Sequence, residues 1–390
     1  MDIYQMISIG LYFLLMVGIG FYAYKKSTSN VDEFLLGGRK MGAAVTALSA
    51  GAADMSGWLL MGLPGAMFLS GISSSWIAIG LTIGAYLNYI LVAPLLRIYT
   101  EKANNAITIP DYFEKRFRDK SRLLRLISAV VILVFFTLYT SAGMVSGGRL
   151  FESAFGMSYM SGLLLTSSVV VFYTFIGGFL AVSLTDFVQG TIMVLALVFV
   201  PVVVFTQLGG VQPVFETIHL KDPNYLSLFE GTTAIGIVSL LAWGLGYFGQ
   251  PHILVRFMAI DTVKQLKSAR RIGITWMIFT VCGAMLVGLV GIAYMGKMNQ
   301  SISDPETIFI YFSKVLFHPL IGGFLLSAIL AAVMSTISSQ LLVTSSSMTE
   351  DFYKAFFRRN SSQKELLIVS RLSVFVVAVV SLSLSLSPKD

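Results

Sequence analysis

The sequence contains few charged residues, and this scarcity indicates which class of protein it encodes. Asp, Glu, Lys and Arg together make up 12% of the 390 residues, whereas soluble domains average about 25%. Hydrophobic residues make up 56% of the chain, and the mean hydropathy is +0.80. We therefore predict an all-α protein that crosses a membrane many times.

The residues and motifs of several other protein classes are also missing. The one cysteine, Cys282, lies in an apolar stretch, which excludes a disulfide framework within the chain. His219, His252 and His318 are scattered without metal-binding spacing, and the sequence has no G-x-x-x-x-G-K-[ST], H-E-x-x-H or G-x-S-x-G motif. ATP hydrolysis is therefore not indicated, and an enzyme is the weaker class. The net charge of +7 lies mostly in short loops, so we expect no nucleic-acid partner and infer no obligate protein partner.

Apolar stretches predict about ten membrane spans separated by short polar loops. These spans lie near residues 3–24, 42–69, 74–96, 126–148, 158–178, 187–207, 231–251, 272–295, 318–347 and 371–387. The first lacks a small-residue cleavage site, so we interpret it as a retained span and not as a signal peptide. Loops 25–41, 97–125, 179–186, 252–271 and 348–371 contain 22 of the 27 Lys and Arg residues. By the positive-inside rule these loops face the cytoplasm, and the N-terminus lies outside.

The second span contains an isolated carboxylate. Asp54 is the only charged residue between Lys40 and Arg97, and Gly51 and Gly57 bracket it. A charge at this depth costs about 3 kcal/mol, so it usually faces a cavity or an ion path. Glycine weakens the helix on both sides. We predict that the helix opens here and frees backbone carbonyls for a cation. The alternative is a glycine-rich packing face with a buried, neutral aspartic acid.

The seventh span is predicted to contain a second interruption in the run from Trp243 to His252, which holds three glycines and a proline. Trp243 and Tyr247 are four residues apart, so on a helix they share a face and could form the wall of a small-solute site. The alternative is an aromatic belt at the membrane interface. Interrupted helices five spans apart are the pattern of an inverted repeat with a binding site near the midplane.

The ninth span carries a stripe of small and hydroxyl residues. Ala332, Ser335, Thr336 and Ser339 follow three-and-four spacing and share a helix face. Hydroxyl oxygens suit a hard cation, but each could instead bond a carbonyl of its own helix. Tyr139 in the fourth span either lines a site or fills space between helices.

Four shorter features flank the predicted spans. Arg39 is either a topology anchor or part of an inner gate. Pro110 and the charges after it predict a short surface helix with a solvated polar face. The glycine pair 177–178 predicts a tight turn. Asp186 either caps the next helix or lies on an ion exit path.

At segments 49–65, 243–252 and 326–340 the sequence resembles the sodium:solute symporter family, and the likeness extends over nearly the whole chain. Residues 177–178 resemble part of the family's general signature. The resemblance implies a single transporter domain over 1–390 with the leucine-transporter fold. In this fold span 1 is an extra helix, 42–207 form one five-helix repeat and 231–390 form the inverted second repeat. The family's proline carriers have about three further helices, so the second repeat is expected to be incomplete here.

The resemblance also implies a function and a set of site residues. The function is sodium-coupled import of L-proline by alternating access across a bacterial cell membrane. The implied sodium ligands are the carbonyls of Ala52, Met55 and Ala332 and the hydroxyls of Ser335 and Thr336, with Asp54 acting on sodium indirectly. The implied proline-site residues are Ser56, Gly57, Trp58, Tyr139, Trp243, Tyr247 and Pro251. The alternatives are a related sodium symporter for another small carboxylate or a sugar, and a transporter-like membrane sensor.

Overall fold

The computed structural model describes residues 2–26 and 29–386, which form a helical bundle without strands in those two stretches. Sixteen α-helices are present there: α1 (Ile3–Lys26), α2 (Val31–Leu36), α3 (Ala43–Met55), α4 (Gly62–Ser70), α5 (Ser75–Leu91), α6 (Ala93–Lys102), α7 (Ile109–Phe117), α8 (Leu123–Phe155), α9 (Tyr159–Gln207), α10 (Val211–Lys221), α11 (Ala234–Ala242), α12 (Pro251–Ala259), α13 (Gln265–Met298), α14 (Ile308–Val315), α15 (Pro319–Ser346) and α16 (Gln363–Ser385). Short 3₁₀ turns join several of them, and a π-helix, Ser347–Phe357, extends α15. Residues 387–390, which include the end of the predicted tenth span, lie outside the described part of the chain.

Seven continuous helical stretches of the described chain are long and apolar enough to cross a membrane. One of them, α9, has 49 residues and contains both the predicted fifth and sixth spans. It bends at Gly178, whose φ is 54°, and helix continues directly on either side. The predicted inner loop 179–186 is therefore wrong, because the change of direction needs only one glycine and no connecting segment. The Phe34 carbonyl would lie 2.5 Å from a Cβ at Gly178.

The predicted interruption of the second span is confirmed. Helix α3 ends at Met55, and Ser56 adopts a φ of 50° and a ψ of −172°, which no α-helix contains. A 3₁₀ turn, Gly57–Leu59, follows before α4 begins. Because a helix end leaves its last four carbonyls without helical partners, the oxygens of residues 52–55 become available to other ligands.

The seventh span is also interrupted, as predicted. Helix α11 gives way to a 3₁₀ segment, Trp243–Phe248, and α12 starts at Pro251. The span continues to Ala259, so the boundary predicted at residue 251 is wrong. Residues 252–259 are buried helix and not part of a polar loop. The boundary was placed too early because the charge of Arg256 indicated a solvent-exposed loop, whereas Arg256 is 1% exposed.

Helix α15 forms the centre of the bundle and is buried along nearly all of its length. It packs against α1, α3, α8 and α9. Close helix approach at these contacts depends on small residues; a Cβ at Gly143 of α8, for example, would lie 2.7 Å from the Ile337 side chain of α15. The opened end of α3 therefore lies directly beside the hydroxyl stripe of α15.

The end of the bundle where residues 29–41, 97–122 and 260–271 meet is called the basic end. Helix α7 lies here and starts with Pro110 in its first turn and Thr108 as its cap, which confirms the predicted short helix. Its polar face is only partly solvated, contrary to the prediction. Asp111 is 4% exposed and, with Asp351, accepts the Arg125 guanidinium at 3.1 and 2.9 Å. The charges on α7 therefore pair with a buried arginine from the next helix.

Candidate cation and solute site

A cavity of about 160 Å³ lies between the two interrupted helices. Its lining is aromatic with a few polar groups, which is typical of a small-molecule site. The lining residues are Asp54, Met55, Ser56, Trp58, Leu81, Tyr139, Trp243, Gly246, Tyr247 and Gln250. The structure therefore brings together most of the residues that the sequence assigned to a solute site.

One hydrogen bond joins the two interruptions directly across this cavity. The Tyr247 hydroxyl donates to the Asp54 carboxylate, and Tyr247 is only 6% exposed. Asn88 on α5 donates to the Tyr247 carbonyl at 2.9 Å, which holds the 3₁₀ segment in place. The isolated carboxylate thus faces a cavity, as its sequence position predicted, and it has a specific donor there.

Oxygen atoms of α3 and α15 converge next to the cavity. The Ser335 hydroxyl donates to the Ala52 carbonyl at 2.8 Å and lies 3.1 Å from the Ala332 carbonyl. The Thr336 hydroxyl lies 3.1 Å from the same Ala332 carbonyl. Met55, whose carbonyl is also freed, is the last residue of α3. Neutral carbonyl and hydroxyl oxygens are the type of ligand that suits a hard cation of low charge.

Two predicted solute-site residues lie outside the central cavity. Pro251 starts α12 and lines a separate small cavity with Thr108 of the basic end. Gly57 lines a neighbouring cavity of about 240 Å³, which shares Ser56, Trp58 and Tyr139 with the central one and extends to Glu306. Glu306 follows α13, which starts at the basic end, so this second cavity leads toward the opposite end of the bundle.

The basic end is closed by hydrogen bonds between the two halves of the chain. The Arg39 guanidinium donates across the two halves to the Met258 carbonyl at 2.7 Å, and within its own half to the Ala106 carbonyl at 2.8 Å. Met41 donates its N–H to the Ala259 carbonyl and accepts from the Asp261 N–H, at 3.1 and 3.0 Å. Burial lowers the pKa of Arg39 to about 10, which leaves it charged at neutral pH.

Asp186 does not cap a helix, because it lies in the interior of α9 and is fully buried. Its carboxylate accepts from Arg256 at 3.0 Å and from the Ser49 hydroxyl at 2.7 Å. Arg256 also donates to the Ser339 hydroxyl. This ion pair was not predicted from the sequence. A signal for it was present in the sequence. Arg256 lies in an otherwise largely apolar segment that begins with Pro251 and is long enough for half of an interrupted membrane helix, so its charge needed a buried partner.

Comparison with solved structures shows that the chain has the leucine-transporter-type helical fold. A sodium-coupled sialic acid symporter, solved in a substrate-bound outward-open state, superimposes with a TM-score of 0.88 over 98% of this chain and 82% of its own, at 19% identity. MhsT in complex with L-phenylalanine gives a TM-score of 0.54 over 88% of this chain and 80% of its own, at 15% identity. At these identities the likeness concerns the fold alone.

Sequence relatives identify the family. Residues 34–390 match the sodium:solute symporter family. The osmoregulated proline transporter OpuE of Bacillus subtilis is 63% identical over all 390 residues, which correspond to 79% of its length. Sodium/proline symporter 2 of Staphylococcus saprophyticus is 56% identical over 387 residues, or 98% of this chain and 76% of its own length. The chain therefore belongs to the sodium:solute symporter family. It is a multi-pass membrane transporter coupled to sodium, and not an enzyme.

Proposed function

We propose that this protein imports L-proline together with sodium by alternating access. The observation that carries the proposal is the meeting of two interrupted helices across one cavity, joined by the Tyr247–Asp54 hydrogen bond. The Ser335–Ala52 hydrogen bond beside that cavity brings the cation-binding oxygens of two helices together. The names of the two sequence relatives supply the solute, since both are described as proline transporters.

The proposed topology has ten crossings of the bacterial cell membrane. The interrupted pairs α3–α4 and α11–α12 count once each, α9 crosses twice around Gly178, and α1, α5, α8, α13, α15 and α16 supply the others. The basic end then faces the cytoplasm and the N-terminus lies outside, because the predicted inner loops 25–41, 97–125 and 348–371, which hold 17 of the 27 Lys and Arg residues, reach that end. Residues 42–207 and 231–390 form the two repeats of one domain, each of which begins with an interrupted helix.

Sodium is proposed to bind the carbonyls of Ala52, Met55 and Ala332 and the hydroxyls of Ser335 and Thr336. For this the Ser335 proton must turn away from the Ala52 carbonyl, so that both oxygens present lone pairs to the ion. The carboxylate of Asp54 is held by Tyr247 and acts on the ion through its charge. The ion then links α3 to α15 and favours one arrangement of the bundle, which is the requirement for coupling.

Proline is proposed to bind in the central cavity against Trp58, Tyr139, Trp243 and Tyr247. The segment after each interruption begins with free backbone N–H groups, which suit the carboxylate of proline. The helix before each interruption ends with free carbonyls and the negative end of its dipole, which attract the amino group. Ser56 and Gly57 provide the first of these segments. Pro251 acts indirectly, by fixing the start of α12.

Release requires the basic end to open. The bond from Arg39 to Met258 would break, which makes Arg39 a gate residue in this proposal. Asp186 lies deeper, beside Ser339 of α15, and is proposed to border the path by which sodium leaves. A membrane potential of 100 mV contributes about 2.3 kcal/mol for each charge that moves inward.

Uptake by the purified chain in proteoliposomes tests this function. An imposed sodium gradient should accumulate radiolabelled proline, and collapse of the gradient should release it. If another small carboxylate accumulates and proline does not compete with it, that carboxylate and not proline is the transported solute. Saturable binding without accumulation would instead identify a sensor. Proline uptake that is indifferent to sodium would contradict the coupling.

A further inference from the structure

A buried polar contact connects the extra helix α1 to the far side of α15. The Gln189 side-chain amide of α9 donates to the Tyr12 hydroxyl at 2.8 Å and to the Met16 sulfur at 3.3 Å. The Tyr12 hydroxyl in turn points to the Met334 sulfur at 3.5 Å. Tyr12 is 5% exposed, and Gln189 and Met334 are fully buried. Three helices thus meet at one phenolic oxygen.

Met334 faces away from the centre of the α15 face that carries the proposed sodium ligands. With about 100° of rotation per residue, Met334 is turned roughly 200° from Ala332 and from Thr336, and roughly 100° from Ser335. A second tyrosine contacts the same place, because Tyr173 of α9 donates to the Met334 carbonyl at 3.2 Å. The ligand face of α15 therefore points to α3, while tyrosines from α1 and α9 support the helix from behind.

The chemistry of this contact is unusual for simple packing. A hydroxyl in an apolar interior is costly to bury unless it is hydrogen-bonded, and phenylalanine would fill the same space without that cost. Here the phenol oxygen accepts one bond and its proton points to a weak thioether acceptor. Its main partner is the Gln189 amide, one helical turn beyond Asp186 on α9. The hydroxyl therefore fixes the relative position of α1, α9 and α15.

We propose that Tyr12 is a positioning residue for the cation site. Its hydroxyl keeps α15 at the distance from α3 at which the Ser335 oxygen and the Ala52 carbonyl can share one ion. This inference rests on the sodium site proposed above, and it gives the extra helix, which lies outside both repeats, a part in sodium binding. Loss of the hydroxyl leaves the Gln189 amide with only the weaker Met16 sulfur as acceptor and lets the back of α15 shift.

The test is Tyr12→Phe, with Tyr22→Phe on the same helix as the matched control. Tyr22 is 53% exposed and its hydroxyl contacts only Lys26 among the described hydrogen bonds. Tyr12→Phe should raise the sodium concentration for half-maximal proline uptake about two- to tenfold, the effect of one hydrogen bond. The maximal rate at saturating sodium and the amount of protein in the membrane should stay near wild type. Tyr22→Phe should leave the sodium curve unchanged.

A second measurement separates this inference from the transport function itself. Stabilisation of the purified protein by sodium, followed as the shift of its unfolding temperature with NaCl and without proline, reports binding alone. Tyr12→Phe should move that titration to higher sodium by a similar factor. If the wild-type protein shows no sodium dependence, the proposed site is wrong. If the wild type responds and Tyr12→Phe has the same curve, only the role of Tyr12 is refuted.

Two further variants keep the test decisive. Met334→Leu preserves volume and the Tyr12–Gln189 bond but removes the contact to α15, so it should raise the sodium requirement in the same direction. Met334→Leu serves as the test if Tyr12→Phe does not fold, and an unchanged sodium curve would then overturn the inference.

The second variant is Gln189→Leu. Adding Tyr12→Phe to it should raise the sodium requirement little further, because both changes act through one contact. Fully additive effects would show that the two residues act independently and would refute the proposed linkage.

Discussion

The hydrogen bond between Tyr247 and Asp54 connects the two interrupted helices, and Tyr247→Phe tests its contribution. The ring remains in the cavity wall, so the change removes one donor from a carboxylate and little else. A hydrogen bond to a charged group contributes about 1.5–3 kcal/mol. At 1.4 kcal/mol for each factor of ten, we expect proline affinity, or sodium affinity, or both, to fall by about 10- to 150-fold.

The matched control for this change is Tyr89→Phe. Tyr89 lies next to Tyr247 in a neighbouring cavity and is also buried, but its hydroxyl has no hydrogen-bond partner in the described part of the chain. Its loss should therefore be neutral or slightly stabilising. The assay is equilibrium binding of radiolabelled proline to purified protein over a sodium titration. Equal affinities for wild type and Tyr247→Phe would refute the idea that this bond organises the site.

Three other substitutions test separate parts of the structure. Arg125→Ala breaks a buried ion pair with Asp351 and should reduce the free energy of unfolding by about 3–5 kcal/mol. The control Arg149→Ala removes the exposed pair with Glu152 and should reduce it by about 0–1 kcal/mol. Equal unfolding temperatures for the two variants would contradict this prediction. Gly178→Ala should destabilise the fold by more than about 1 kcal/mol, because Gly178 has a positive φ and a Cβ there would clash with the Phe34 carbonyl. The control Gly42→Ala should not destabilise it to this extent, because the space around Gly42 is open. Protein yield and unfolding temperature measure the difference. Trp243→Ala should weaken proline binding several-fold by removing part of the cavity wall, and unchanged binding would assign the 61% exposed indole to the membrane interface.

The two helix interruptions could be predicted from the sequence because their causes are local. Gly51 and Gly57 on either side of Asp54, and the three glycines and Pro251 of the seventh span, make continuous helix unfavourable whatever surrounds them. Asp54 could be assigned to a cavity for a related reason, since a lone carboxylate needs a polar neighbour inside a membrane. The residue that provides this neighbour, Tyr247, was recognised only as an aromatic wall.

The features that the sequence did not reveal depend on contacts between distant segments. Arg256 was counted as a loop charge because its partner Asp186 is 70 residues away, and neither residue alone shows that it is paired. Asp111 was expected in solvent because nothing near it indicates that Arg125 and the π-helix after α15 would cover it. The bend at Gly178 looked like a loop because a helix that turns at one glycine has the same local composition as two helices with a short connection.

The central claim is that sodium binds between the opened end of α3 and the hydroxyls of α15. The most direct test is the sodium activation of proline uptake by the variant Ser335→Ala/Thr336→Ala, with Ser327→Ala as the control, since that hydroxyl bonds only within α15. Because one interaction with a charged group contributes about 1.5–3 kcal/mol, the double variant should need at least about tenfold more sodium for half-maximal uptake, at normal membrane abundance. The control should match wild type. A double variant with an unchanged sodium requirement would contradict the central claim.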